Sequence, residues 1–219
     1  MTIYMVVEGP VGEKSLYGKW IKFLNPSLSI VENIEEIQDN SVYIISGGGH
    51  PNYFNVIENA VSDIKNLKLF DRFVVAVDSE EFTFNQRKKE IEEHISSLNP
   101  NVDVKVIIQH YCLETWALGN RRIVKRNPQN AQIRKILKFY NILQLDPEEL
   151  PCPPWEELTR AQFSAKLLRL VLNEKYKQLT YTKRNPKVLL HKKYYDRVSE
   201  RYKEGKHIQS FGTFIKAFS

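Results

Sequence analysis

"VVEGPVGEKSLYGKW", Val6 to Trp20, decides how the rest of this chain is read. Its GPVGEKS core invites comparison with a phosphate-binding loop. A Walker-type loop needs four residues between its first glycine and a contiguous Gly-Lys-Ser/Thr, because that length lets successive N–H groups wrap the phosphates. Here two residues separate Gly9 from Gly12, and Glu13 intrudes before Lys14, where a carboxylate repels a phosphate ligand. The other reading is an apolar strand that ends in a carboxylate, Glu8. Glu13 then opens a helix, where an acid complements the dipole.

After this stretch the pattern of an apolar run followed by helical spacing repeats. Apolar, β-branched runs occur at 3–7, 42–45, 73–77 and 104–108, separated by helical spacing at about 13–23, 52–67 and 84–97. Alternating strands and helices of this kind predict an α/β fold with a mostly parallel, four-stranded sheet flanked by helices. The strands are nearly continuously apolar, as expected when both faces are covered. Ligands bind beyond the carboxyl ends of such strands. Glu8, residues 46–50, residues 78–81 and residues 110–114 should therefore converge on one edge.

Beyond about Asn120 the chain reads as helical, at 131–143, 160–176 and 192–203, with Pro147, Pro151, Pro153 and Pro154 punctuating the connection between the first two. The expected organisation is an α/β unit over 1–120 and a basic helical extension over 121–219 packed on it. The 219 residues suffice for one sizeable core, and 42% apolar content excludes a disordered chain. No apolar run is long enough to span a membrane, and no secretion signal is read. Cys112 and Cys152 lack metal-site spacing and read as reduced thiols of a cytoplasmic protein.

The net charge of +6 conceals an asymmetry: residues 1–114 hold 10 Lys+Arg and 17 Asp+Glu, residues 115–219 hold 22 and 9. An acidic half joined to a basic half suits a cation-collecting site beside a surface for polyanions. In "FVVAVDSEEF" the strand ends in Asp78, Ser79, Glu80 and Glu81. Acids this close repel one another, which a divalent cation relieves, and hard oxygen ligands favour Mg2+ or Mn2+. The same residues also read as a helix N-terminus, capped by Asp78 or Ser79. In the basic half, "NRRIVKRNP" (Arg121, Arg122, Lys125, Arg126), "YTKRNP" (Lys183, Arg184) and "HKKYYDR" (Lys192, Lys193) are rich in cations, the last two with tyrosines among them, which suits contact with nucleic-acid phosphates and bases.

Taken together, "VVEGPVGEKS", "SGGGH" and "FVVAVDSEE" resemble the TOPRIM fold of primases, type IA topoisomerases and OLD-type nucleases. On that resemblance Glu8 is the first-strand glutamate, followed by Gly9 and Pro10. Lys14 and Ser15 match the Lys-Ser/Thr pair of the topoisomerase branch, and Gly49 and His50 match the turn after the second strand. Asp78 and Glu80 take the two positions of an Asp-x-Asp pattern, with glutamate at the second. The next acid of the pattern is Phe82 here, with Glu81 one residue earlier. "HYCLETWALGN", "YTKRNP" and "QSFGTFIKAF" resemble segments of small TOPRIM-like families of bacteria and phage, some linked to phage defence, and place Glu114 near the metal.

The resemblance implies a Mg2+- or Mn2+-dependent nuclease acting on DNA or RNA. Glu8, Asp78, Glu80 and Lys14 would be catalytic, and Glu8, Asp78, Glu80, Glu81 and Glu114 would bind metal. Ser15, His50, Arg121, Arg122, Lys125, Arg126, Lys183, Arg184, Lys192 and Lys193 would hold nucleic acid. The alternatives are a non-catalytic nucleic-acid-binding module, or an effector subunit active only with a partner such as an ATPase.

Overall fold

The computed structural model describes residues 1–9, 11–176 and 181–219. Pro10, part of the turn quoted above, lies outside the described residues. The chain forms an α/β fold around an all-parallel sheet of five strands: β1 (Ile3–Val7), β2 (Ser29–Val31), β3 (Ser41–Ser46), β4 (Arg72–Asp78) and β5 (Asp103–Gln109), in the order β2-β3-β1-β4-β5. The expectation of four strands omitted β2. That strand has three residues, and Ser29 is exposed, so it carries too short an apolar signal to stand out.

Three of the four parallel connections cross through an α-helix, β2 joining β3 by way of a 3-10 turn (Ile34–Glu36), and the right-handed rule then fixes the face on which each helix lies. α1 (Val11–Leu24) follows β1 and leads to β2 at one edge, whereas α2 (Tyr53–Leu67) and α3 (Phe84–Leu98) lead towards β4 and β5 at the other. The two directions place α1 on one face and α2 with α3 on the opposite face. Side-chain alternation agrees. Tyr4, Val6, Val75 and Val77 pack in a cluster with Ile57, Ile64, Ile91 and Ile95, while Met5, Val7, Val74 and Ala76 pack with Leu16, Tyr17 and Trp20.

Local signals fix the helix ends. Thr83 and Gln86 form a capping box at the start of α3, and Lys68 closes α2 in the left-handed conformation. Later helices are α4 (Leu113–Ala117), α5 (Ala131–Phe139), α6 (Arg160–Lys175), α7 (Lys192–Lys203) and α8 (Phe211–Phe218). Thr159 and Gln162 repeat the capping box at α6.

Residues beyond 120 share the α1 face of the core. Phe163, Leu167, Leu168, Phe211, Phe214 and Phe218 are fully buried in the same apolar cluster as Ile3, Val42 and Trp20. α8 contacts both α1 and β5, so the last helix covers the flank of the sheet that α1 leaves open. Trp20 donates its indole N–H to the Leu189 carbonyl at 2.9 Å, tying α1 to the 3-10 turn before α7. No helix among the described residues is long and apolar enough to cross a membrane. Both cysteines are free thiols, Cys112 buried and Cys152 partly so.

Candidate functional site

β1 and β4 are neighbours whose following helices leave towards opposite edges and opposite faces, which makes the gap between their carboxyl ends the switch point of the sheet. Glu8 and Asp78 stand there. The Glu8 N–H extends the ladder to the Ala76 carbonyl at 2.9 Å, and its carboxylate Oε2 accepts the Asp78 N–H at 2.9 Å. Asp78 Oδ1 accepts the Leu113 N–H at 3.1 Å, at the start of α4. α4 in turn buries Glu114 completely, and Glu114 Oε1 accepts the Tyr181 hydroxyl at 2.9 Å.

The positive charge comes from far along the chain. Thr182 and Asn185 pair across a tight turn, and that turn presents the Lys183 ammonium 3.5 Å from Asp78 Oδ2 and 4.0 Å from Glu114 Oε2. Gly12 makes the approach possible, because a Cβ there would overlap the Lys183 carbonyl oxygen. Glu13 folds back over Gly9, and its Oε1 accepts from Gln109 Nε2 at 3.3 Å; the same amide donates to the Tyr17 hydroxyl oxygen at 2.8 Å.

Four carboxylates therefore crowd one mostly buried ammonium-lined gap, and their titration reflects it. Burial, opposed by the Asp78 N–H and reinforced by Glu80, raises the Glu8 pKa. Burial raises Asp78 well above the carboxylate range, against the pull of Lys183. Burial and Glu8 push Glu13 up to about 7. Asp78 and Glu114 hold the Lys183 ammonium protonated well above its ordinary range. Two polar atoms, Glu114 Oε2 and Gln109 Oε1, are buried without a hydrogen-bond partner. Beside the cluster opens a cleft of about 790 Å3, where Glu80, Glu114, Tyr181 and Lys183 meet the α6 residues Gln162 and Arg169.

The other sequence candidates are dispersed. Glu80 is half-buried at the mouth with a left-handed backbone (φ 51°), its N–H bonded to the Tyr111 carbonyl. Glu81 is exposed and accepts the Arg160 N–H at 3.2 Å, so it caps α6. Lys14 turns away to Glu32 at 3.0 Å, beyond the end of β2, and Ser15 lines the same groove. His50 is exposed and leans on Tyr53 and Phe54, although the Gly49 N–H beside it bonds the Glu8 carbonyl at 2.8 Å. Arg121 is held by Glu204 and the Leu143 carbonyl, and Lys192 by Asp196. Arg122, Arg126, Arg184 and Lys193 are exposed, and Lys125 is half-buried.

Sequence reasoning therefore missed Glu13, Gln109 and Tyr181 as members of the cluster, and placed Lys14 where the fold brings Lys183. Lys14 and Glu13 are consecutive on a helix, so they point about 100° apart and only one can face the cluster.

No family model, curated protein or solved structure matches this chain. Among the described residues no three His, Cys, Asp or Glu side chains are grouped closely enough to cage a metal ion. What the geometry does provide is an oxygen-rich, acid-excess gap with one cation already drawn into it.

The raised acids make stability depend on pH. A carboxyl whose folded pKa exceeds its unfolded value binds more protons when folded, so its contribution is greatest below the unfolded pKa and is lost as pH rises through the folded one. Glu13 and Glu148, the latter pushed up to about 7 by burial, both lose stability between about pH 4.5 and 7. His110 opposes them below pH 6.5, since burial and Arg160 depress it to about 4. Lowering the pH from 8 to 6 should therefore raise Tm by several degrees, with a flatter response further down, as each kcal/mol moves Tm by roughly 2–4 °C in a chain this long. A melting series in which Tm rises with pH over that window would contradict the buried-acid assignment.

Proposed function

We propose that the chain is a Mg2+-dependent nuclease with a TOPRIM-like sheet, hydrolysing phosphodiester bonds of DNA or RNA. The observation that carries this reading is the side-by-side placement of Glu8 and Asp78 at the switch point, with Glu114 behind them. The donor set suits the ion: every candidate ligand is a hard carboxylate oxygen, and Glu114 Oε2 is buried with no hydrogen bond. Among the described residues no trio of side chains closes on it, so Glu8 and Asp78 would hold it as two carboxylates with water completing the shell, Glu114 standing behind and Glu80 at the mouth. Mg2+ bound there would act as a Lewis acid on the phosphoryl oxygens and lower the pKa of a coordinated water.

The chain's own residues do the rest. Lys183, already beside Asp78, would meet a non-bridging phosphate oxygen and neutralise its charge, the role that the sequence assigned to Lys14. Arg169 and Gln162 line the cleft along which the substrate backbone would run. Tyr181 fixes the Glu114 carboxylate through its hydroxyl.

One observation favours a second reading, a nucleic-acid-binding module that does not cleave: Lys183 already partly satisfies Asp78 and Glu114. Magnesium separates the two. The nuclease should show a Tm that climbs with Mg2+ at pH 8, since a ligand at about 100 times its Kd stabilises by about 2.7 kcal/mol. It should also cleave labelled single-stranded oligonucleotides with Mg2+ and not with EDTA. No shift at millimolar Mg2+ together with no cleavage would leave the binding module standing.

A further inference from the structure

A second cleft, of about 630 Å3, lies in the basic half and shares no lining residue with the carboxylate site. Six cations face it: Arg121 and Arg122 from a 3-10 turn, Arg126 after it, Lys175 at the end of α6, and Arg197 and Arg201 from α7. Among the described lining residues, Glu200 and Glu204 alone oppose them.

The cations form two tiers. The inner tier is built in. Arg121 grips Glu204 with both terminal nitrogens, at 2.5 and 2.8 Å, and donates from Nε to the Leu143 carbonyl. Arg201 is 1% exposed and donates to the Leu145 carbonyl at 2.6 Å and to His207 Nδ1 at 3.1 Å. Its other donors reach the Leu118 and Gly119 carbonyls only at 3.4 and 3.5 Å. A buried guanidinium beside a second one is a standing positive field, which burial and Arg121 register by depressing Arg201 to about 10.

The outer tier is free to meet a ligand. Arg122, Arg126 and Lys175 are exposed, and among the described residues none has an acid within ion-pair distance. Arg197 pairs with Glu200 on its own helix at 2.7 Å, an exposed i,i+3 contact worth little in water. Among the described residues the lining contains no aromatic side chain to stack on a base.

We propose that this cleft is a phosphate-binding anchor for the backbone of a nucleic acid, read by charge alone and without sequence preference. The identity of the polyanion rests on the nuclease reading; the cleft itself does not.

The test is binding in EDTA of a labelled single-stranded oligonucleotide to the full chain across a salt series. The triple variant Arg122→Gln, Lys175→Gln, Arg197→Gln should bind at least tenfold more weakly. Its slope of log K against log salt should shrink by about 2, from roughly 0.7 per lost phosphate contact on a single strand. The loss should be equal for mixed sequence and oligo-dT. A charge-matched control, Lys68→Gln, Lys88→Gln, Lys89→Gln, lies at the C-cap of α2 and on α3 and should bind as wild type does. All six positions are at the surface, so melting should show both variants folded.

Equal losses in variant and control would reduce the effect to net charge and overturn the cleft, as would an unchanged triple variant. Tripolyphosphate that raises Tm through these residues without displacing the oligonucleotide would also overturn it, in favour of a free oligophosphate ligand. Wild type that binds but never cleaves with Mg2+ defeats only the nuclease reading; a triple variant that binds normally defeats only the cleft.

Discussion

Asp78→Asn is expected to lower Mg2+-dependent cleavage by roughly 10²- to 10³-fold, the scale of losing one preorganised charge in a water-excluded site, while the protein melts no lower at pH 8. The two halves of this expectation have one cause. Burial already disfavours the Asp78 carboxylate, so removing its charge relieves repulsion from Glu8, Glu13 and Glu114. Asn keeps an acceptor for the Leu113 N–H and loses only the attraction to Lys183, whose side chain is half in solvent. Initial rates on a labelled oligonucleotide and a parallel melt measure both. Cleavage within twofold of wild type would remove Asp78 from the proposed chemistry.

Phe214→Ala should cost about 3–5 kcal/mol, as for other buried phenylalanines cut back to alanine. That corresponds to a fall in Tm of at least about 6 °C. Phe214 is fully buried on α8, and its ring meets Tyr17 and Trp20 of α1, Trp116 of α4, and Phe211 and Phe218 of its own helix. Because one apolar cluster joins residues before and after 120, the loss should appear as a single transition. Tryptophan fluorescence, from buried Trp20 and Trp116 and exposed Trp155, and far-UV circular dichroism should give coincident denaturation curves. Two separate transitions would mean that the α/β part holds its fold without the C-terminal helices.

The four longer strands were legible because each is an apolar run closed by a polar residue. The first, over 3–7, has the bounds read from the sequence. Glu8 and Asp78 were legible for the same reason, since strand ends of a parallel sheet share an edge. Lys183 was not legible as part of the cluster: its role comes from a turn that touches Gly12, and no local pattern encodes so distant a contact. Glu13 misled in a different way. As an acid in the first turn of a helix it had a sufficient local explanation, and its bond to Gln109 exists only in the folded chain. The charge runs also divided on tertiary grounds, Arg121 becoming a structural pair while Arg122 beside it stayed in solvent.

The turn that carries Lys183 also bears on how the protein comes into being. Synthesis runs from the N-terminus, and Glu8, Glu13, Asp78 and Glu114 are all made before it. Until that turn is made, these acids have no ammonium to meet and the α1 face lacks α8. Closing a loop from residue 12 to residue 183 is among the last and most entropically demanding contacts the chain can make. Charge balance at the candidate site and completion of the core thus both wait for residues made after the sheet, and a nascent chain lacking them carries the acids without their counter-charge.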